Sequence, residues 1–139
     1  MKVELQRIND TVHLEATNEQ GVKVQIDGSP EIGGHDLGAR PMQLILMGLG
    51  GCTSMDILSI LYKMREHVID YHVTVNGERD AGVIPAVFTN IHIHFQFKGL
   101  LKKENVERAI QLSMDKYCSV SKMLEKTAEI THSYEIITE

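Results

Sequence analysis

Cys52 and Cys118 are the two thiols of the chain, and a pair of thiols is the minimum for a reversible dithiol–disulfide couple. The ordinary role of a free cysteine is structural: it is buried and packs as a small hydrophobe. Three features of this pair point toward chemistry instead. There are two thiols, enough for a couple. Cys52 lies among Gly50, Gly51, Thr53 and Ser54, small residues that leave room around its sulfur. Cys118 ends a helical pattern beside Lys116, Ser119 and Lys122. Their separation along the chain says nothing about distance, and they bridge only if their Cα atoms come within about 7 Å. A reactive thiol must also ionise below its ordinary pKa of about 8.5. Asp56, one helical turn after Cys52, opposes that ionisation wherever the two are close. The activating cation must come from elsewhere in the fold, and Arg7, Arg40, Arg79 and Lys116 are the candidates.

The elements that must position these thiols read clearly. Val3 and Leu5, then Val12, Leu14 and Ala16, then Val22, Val24 and Ile26 alternate with polar residues, which predicts three short strands joined by hairpins. The stretch GSPEIGGHDLGARP, residues 28 to 41, has no period and reads as a long loop of the kind that is functional or mobile. Pro41 suits the first turn of a helix, and that helix extends to about Glu66, a rod of roughly 38 Å at about 1.5 Å per residue. Its first half is apolar on every side and must be surrounded; its second half keeps Ile57, Leu58, Leu61 and Met64 inside. Two alternating strands follow, one through Ile69–Asn76 and one through Asn90–Lys98. A helix over Lys103 to Tyr117 buries Val106, Ala109, Ile110 and Met114; a short turn and a last strand with Ile130, His132, Tyr134 and Ile136 on one face complete the chain. The order βββ-α-ββ-α-β predicts an α+β fold, a single domain over residues 1–139 with antiparallel sheet around a long central helix. So short a domain hardly wraps such a rod by itself. Gly48 and Gly51 bare a strip of backbone on it, so a second copy of the chain, with its own twin helix, is the expected cover.

Composition narrows the function. The chain has 139 residues, 42% hydrophobic and 24% charged, with a net charge of −5. No broad basic surface is available for nucleic acid or for an anionic membrane. The N-terminal stretch alternates in polarity and lacks the apolar core of a signal peptide. The apolar run at Met42–Met64 is interrupted by glycines, Thr53, Ser54 and Asp56 and is not read as a membrane span. The expectation is a cytoplasmic protein, whose cysteines rest as thiols and whose disulfide is transient.

The stretch GARPMQLILMGLGGC, of the form G-x-x-P-x-Q-L-(x6)-G-C, together with the distal Cys118, resembles the OsmC/Ohr family of osmotically inducible and organic hydroperoxide resistance proteins, and is most similar to its YhfA-like branch. The resemblance spans nearly the whole chain. It implies an intertwined homodimer with active sites at the subunit interface. Cys52 would be the peroxidatic thiol, forming a sulfenic acid, and Cys118 would resolve it as a disulfide that an external dithiol reduces, with no bound cofactor. It implies small organic hydroperoxides as substrates, with Met42, Leu46 and Met47 as the expected apolar lining. One departure stands out. Active family members carry glutamate after the helix proline, paired with an arginine from the N-terminal region. This chain has Met42 there and no arginine between residues 8 and 39. Arg40, Lys23 and, in the glycine-rich loop, His35 are the substitutes within reach of the helix start. The alternative is a catalytically weak dimer of the same fold that binds an apolar small molecule or senses redox state.

Other signals are weaker. His92 and His94 share one face of a strand, as a metal pair would, but that face also carries Asn90, Gln96 and Lys98 and reads as solvated, so no metal site is assigned. His132 alternates with inward residues and reads as a core histidine. The seven methionines read as core or interface filler. Met47-Gly48-Leu49-Gly50-Gly51 lies inside an apolar helix, the wrong setting for a phosphate loop or a dinucleotide fingerprint.

Overall fold

A computed structural model describes residues 1–138. The chain divides into two compact units, Met1–Ile45 and Leu46 onward.

The first unit is a three-stranded antiparallel meander of β1 (Val3–Arg7), β2 (Leu14–Asn18) and β3 (Lys23–Ile26). Leu5 pairs with Ala16, and Ala16 with Val24, so the alternating apolar residues share one face. Asparagines make the turns: Asn9 Oδ1 accepts the N–H groups of Thr11 and His13, and Asn18 Oδ1 those of Gln20 and Val22. The glycine-rich stretch after β3 is tied down by one side chain. The buried carboxylate of Asp27 accepts the N–H of Gly28 on Oδ1 and those of His35 and Leu37 on Oδ2. A Cβ at Gly34 would lie 1.7 Å from the Gly28 carbonyl oxygen, so only glycine fits there. A 3₁₀ turn, Pro30–Ile32, stands inside the loop.

Helix α1 (Pro41–Lys63) begins at Pro41 as expected and stops at Lys63, where Arg65 takes a left-handed φ of 63°. The Glu66 N–H then donates back to the Leu61 carbonyl, satisfying a helix end. The second unit sets a three-stranded sheet, ordered β4 (Asp70–Arg79), β5 (Phe88–Lys98), β6 (Glu129–Ile137), against helices. Ile91, Ile93, Phe95 and Phe97 of β5 form the core with Leu49, Ile57 and Leu61 of α1 and Val106, Ala109 and Ile110 of α2 (Lys103–Leu112). The strands β4 and β5 are antiparallel, but β5 and β6 run parallel. The expectation of antiparallel pairing is corrected at this one place, because the helical connection between β5 and β6 carries the chain back to the starting end of the sheet.

The predicted helix over Lys103–Tyr117 is also divided. Its α-helical part ends at Leu112, and Ser113–Tyr117 forms a π-helical turn, closed where the Cys118 N–H donates to the Ser113 carbonyl at 2.8 Å. Helix α3 (Ser119–Leu124) follows directly. Two inward assignments fail. His132, on the edge strand β6, is exposed. Leu58 lies on the open side of α1. Of the two roles expected for the methionines, core or interface filler, Met47, Met55 and Met123 do not take the first, since they are exposed on this chain.

Candidate active site

Gly50 lets α1 lie close on β4: a Cβ there would sit 3.1 Å from Val75 Cγ2. Two hydroxyls on the following turn are satisfied internally. Thr53 Oγ1 donates to the Leu49 carbonyl at 3.1 Å, and Ser54 Oγ, which bonds the Gly50 carbonyl, also meets the Tyr71 hydroxyl at 2.8 Å. This seating fixes the rotation of α1. Thr53 faces the core, while Cys52 and Asp56, four residues apart and so on one face, turn toward the π-helical turn.

The extra residue of that turn shapes the other half of the site. Ser113 is buried and serves twice: its carbonyl accepts the Cys118 N–H, and its Oγ donates to Asp56 Oδ2 at 2.9 Å. Cys118 leaves the helix in an extended conformation and becomes the N-cap of α3, its sulfur accepting the Ser121 N–H at 3.3 Å. The outcome is a cluster in which the sulfurs of Cys52 and Cys118 and a carboxylate oxygen of Asp56 all lie within 4.8 Å of one another. Both cysteines are free thiols; Cys52 is half-buried and Cys118 has no exposed surface. A cleft of about 410 Å³ opens at Asp56, lined by Ser59, Ile60, Lys63, Leu112 and Tyr117 among others.

The electrostatics follow from burial. Loss of solvent pushes the Cys118 thiol above its ordinary pKa; hydrogen bonds from Ser121 pull it down, and the neighbouring Cys52 thiol pushes it up again. Among the described residues no lysine, arginine or histidine forms an ion pair with Asp56. The arrangement therefore gathers two thiols and one carboxylate into a single cluster.

The remaining expected site residues have local roles. The Arg40 guanidinium pairs with Asp36, and its N–H donates to Gln43 Oε1 at 2.9 Å. His35 contributes its backbone N–H to Asp27. Met42 is half-buried; Leu46 packs at Gly77; Met47 is exposed. Arg79 Nε donates to the Ala86 carbonyl, and the Lys116 ammonium lies 5.3 Å from the Tyr117 ring centroid. The rings of His92 and His94 are engaged by Thr131, Ser133 and Glu135 across β6. Ser113 and Ser121 were not singled out in the sequence. Their only signal was position: Ser113 five residues before Cys118, and Ser121 three after it.

An α+β chain with a long helix carrying one thiol, and a second thiol delivered to it from the end of another helix, defines the class. The OsmC-like protein family matches residues 33–133, and the chain belongs to that family. It is 43% identical over 118 residues to Protein YhfA of Escherichia coli (strain K12), covering 84% of each chain. A hypothetical protein from Aquifex aeolicus VF5 has a similar structure, with a TM-score of 0.86 and 28% identity over 99% of this chain and 96% of that one. The fold is also that of the organic hydroperoxide resistance protein OhrB of Bacillus subtilis, with a TM-score of 0.65 and 16% identity over 96% of each chain.

Proposed function

We propose that this protein is a cytoplasmic, thiol-dependent peroxidase for small organic hydroperoxides, a single OsmC-like domain acting as a homodimer. The observation that carries this reading is the approach of the Cys52 and Cys118 sulfurs to within 4.8 Å, the first partly open and the second buried. In the forward reaction the Cys52 thiolate attacks the O–O bond, giving a sulfenic acid and releasing the alcohol. The Cys118 thiol displaces hydroxide from that sulfur, forming the disulfide and, with its proton, one water. An external dithiol reduces the disulfide by exchange, and no resident cofactor is needed. Leu46 and Met47, on the same helix as Cys52, are the candidates for holding the alkyl group.

The homodimer draws support from α1. It is long and apolar enough to cross a membrane by length and composition, yet only 28% of its most apolar window is buried. Met47, Met55, Leu58 and Tyr62 form one exposed stripe, and Cβ atoms at Gly48 and Gly51 would meet nothing within 4 Å. Asp56 and Ser54 are hydrogen-bonded inside the fold, which leaves the apolar stripe as the surface for a second α1 to cover.

The test is oxidation by cumene hydroperoxide followed by intact mass. One intramolecular disulfide per chain is expected, none in Cys52→Ser, with faster reaction than hydrogen peroxide gives. Asp56, close to both sulfurs, favours a second reading in which the pair is a slow redox sensor; a rate no faster than that of free cysteine selects it.

A further inference from the structure

We propose that the reduced pair, together with Asp56, is a binding site for a thiophilic divalent cation of the Zn²⁺ type, with Cys52 Sγ, Cys118 Sγ and one Asp56 carboxylate oxygen as its three protein ligands. The inference uses the same cysteines as the peroxidase reading but not its chemistry. The three donor atoms lie within 4.8 Å of one another, and donors around a tetrahedral zinc with bonds of about 2.0–2.3 Å are spaced by roughly 3.5–4 Å. Side-chain rotation of modest size closes the set. Two thiolates with one carboxylate match the borderline-soft preference of this ion.

Two of the three ligands already have the outer hydrogen bonds that orient metal ligands. The Ser121 N–H points at the Cys118 sulfur at 3.3 Å, as it would to a thiolate, and the Ser113 hydroxyl holds Asp56 Oδ2 at 2.9 Å, leaving the other oxygen for the metal. Ionised, the three groups would place three negative charges together with no cation paired to Asp56 among the described residues; a divalent ion removes that repulsion. An entry path exists, because Cys52 is half-buried and the cleft of about 410 Å³ opens at Asp56. Binding converts two thiols to thiolates and releases two protons, and the fourth position is left to water, as in open zinc sites. A metal held by both sulfurs and a disulfide between them are mutually exclusive, so the ion would occupy only the reduced state.

The experiment titrates the reduced, full-length protein with Co²⁺ under anaerobic conditions and then displaces the Co²⁺ with Zn²⁺. The expected result is one Co²⁺ per chain with thiolate-to-cobalt charge-transfer absorption and tetrahedral d–d bands, abolished in Cys52→Ser. In Asp56→Asn, which keeps an acceptor for Ser113, affinity is expected to fall about tenfold or more. Absence of charge-transfer absorption in the unaltered protein, or unchanged affinity in Asp56→Asn, overturns the proposal. Because no peroxide enters the measurement, a protein that binds Co²⁺ but fails to form a disulfide with cumene hydroperoxide contradicts the peroxidase reading and leaves the metal site standing.

Discussion

Asp56 is the charged group of the thiol cluster. One of its carboxylate oxygens lies within 4.8 Å of both sulfurs, and Ser113 Oγ donates to Asp56 Oδ2 at 2.9 Å. At the other end of the chain, Asp27 is held by three backbone N–H groups, of which His35's is the strongest in keeping the carboxyl below its ordinary 3.8. A depressed folded-state pKa means stability that is present above 3.8 and lost as pH falls below it. Asp27→Asn is expected to lower the denaturation midpoint at pH 7 and to flatten the loss of stability below pH 4, followed by circular dichroism. At this scale the sequence was half legible. The thiols and the opposing charge of Asp56 were visible because four residues on a helix make one face. Asp27, one residue before the stretch read as a long loop, was not singled out, since three backbone N–H groups converging on one carboxylate leave no periodic trace.

Periodicity revealed most of the elements. Alternation located five of the six strands to within a few residues and marked the sixth, and Pro41 marked the start of α1. The π-helical turn escaped because its five residues, SMDKY, have no special composition; the closing bond uses the backbone of Ser113 and Cys118. The parallel pairing of β5 with β6 escaped because alternation reads faces and not strand direction. The glycines of α1 now divide by environment. Gly50 is buried against Val75, so Gly50→Leu is expected to cost about 1–3 kcal/mol of stability by overpacking. Gly48 faces open space, and Gly48→Ala in a dissociated chain is expected to stabilise the helix by about 1 kcal/mol. Chemical denaturation at low protein concentration distinguishes the two signs.

For the whole molecule, the exposed stripe of Met47, Met55, Leu58 and Tyr62 is the surface on which the proposed homodimer would form. Sedimentation equilibrium is expected to show a dimer, and Tyr62→Glu, which places a charge in the stripe, is expected to weaken self-association at least tenfold while leaving the far-ultraviolet circular dichroism unchanged. Sequence reasoning reached this expectation from the apolar first half of α1, its glycine strip and the family resemblance; it had no means of showing that Cys118 would be turned by a π-helical bend onto the face of α1 that carries Cys52. That meeting of two sulfurs is the central claim, and it is tested most directly by exposing the reduced protein to one equivalent of cumene hydroperoxide and mapping the products by peptide mass spectrometry. The account expects a single Cys52–Cys118 linkage within one chain, with loss of two hydrogens and no further oxidation. Cys52 driven to sulfinic acid while Cys118 remains a thiol would contradict it.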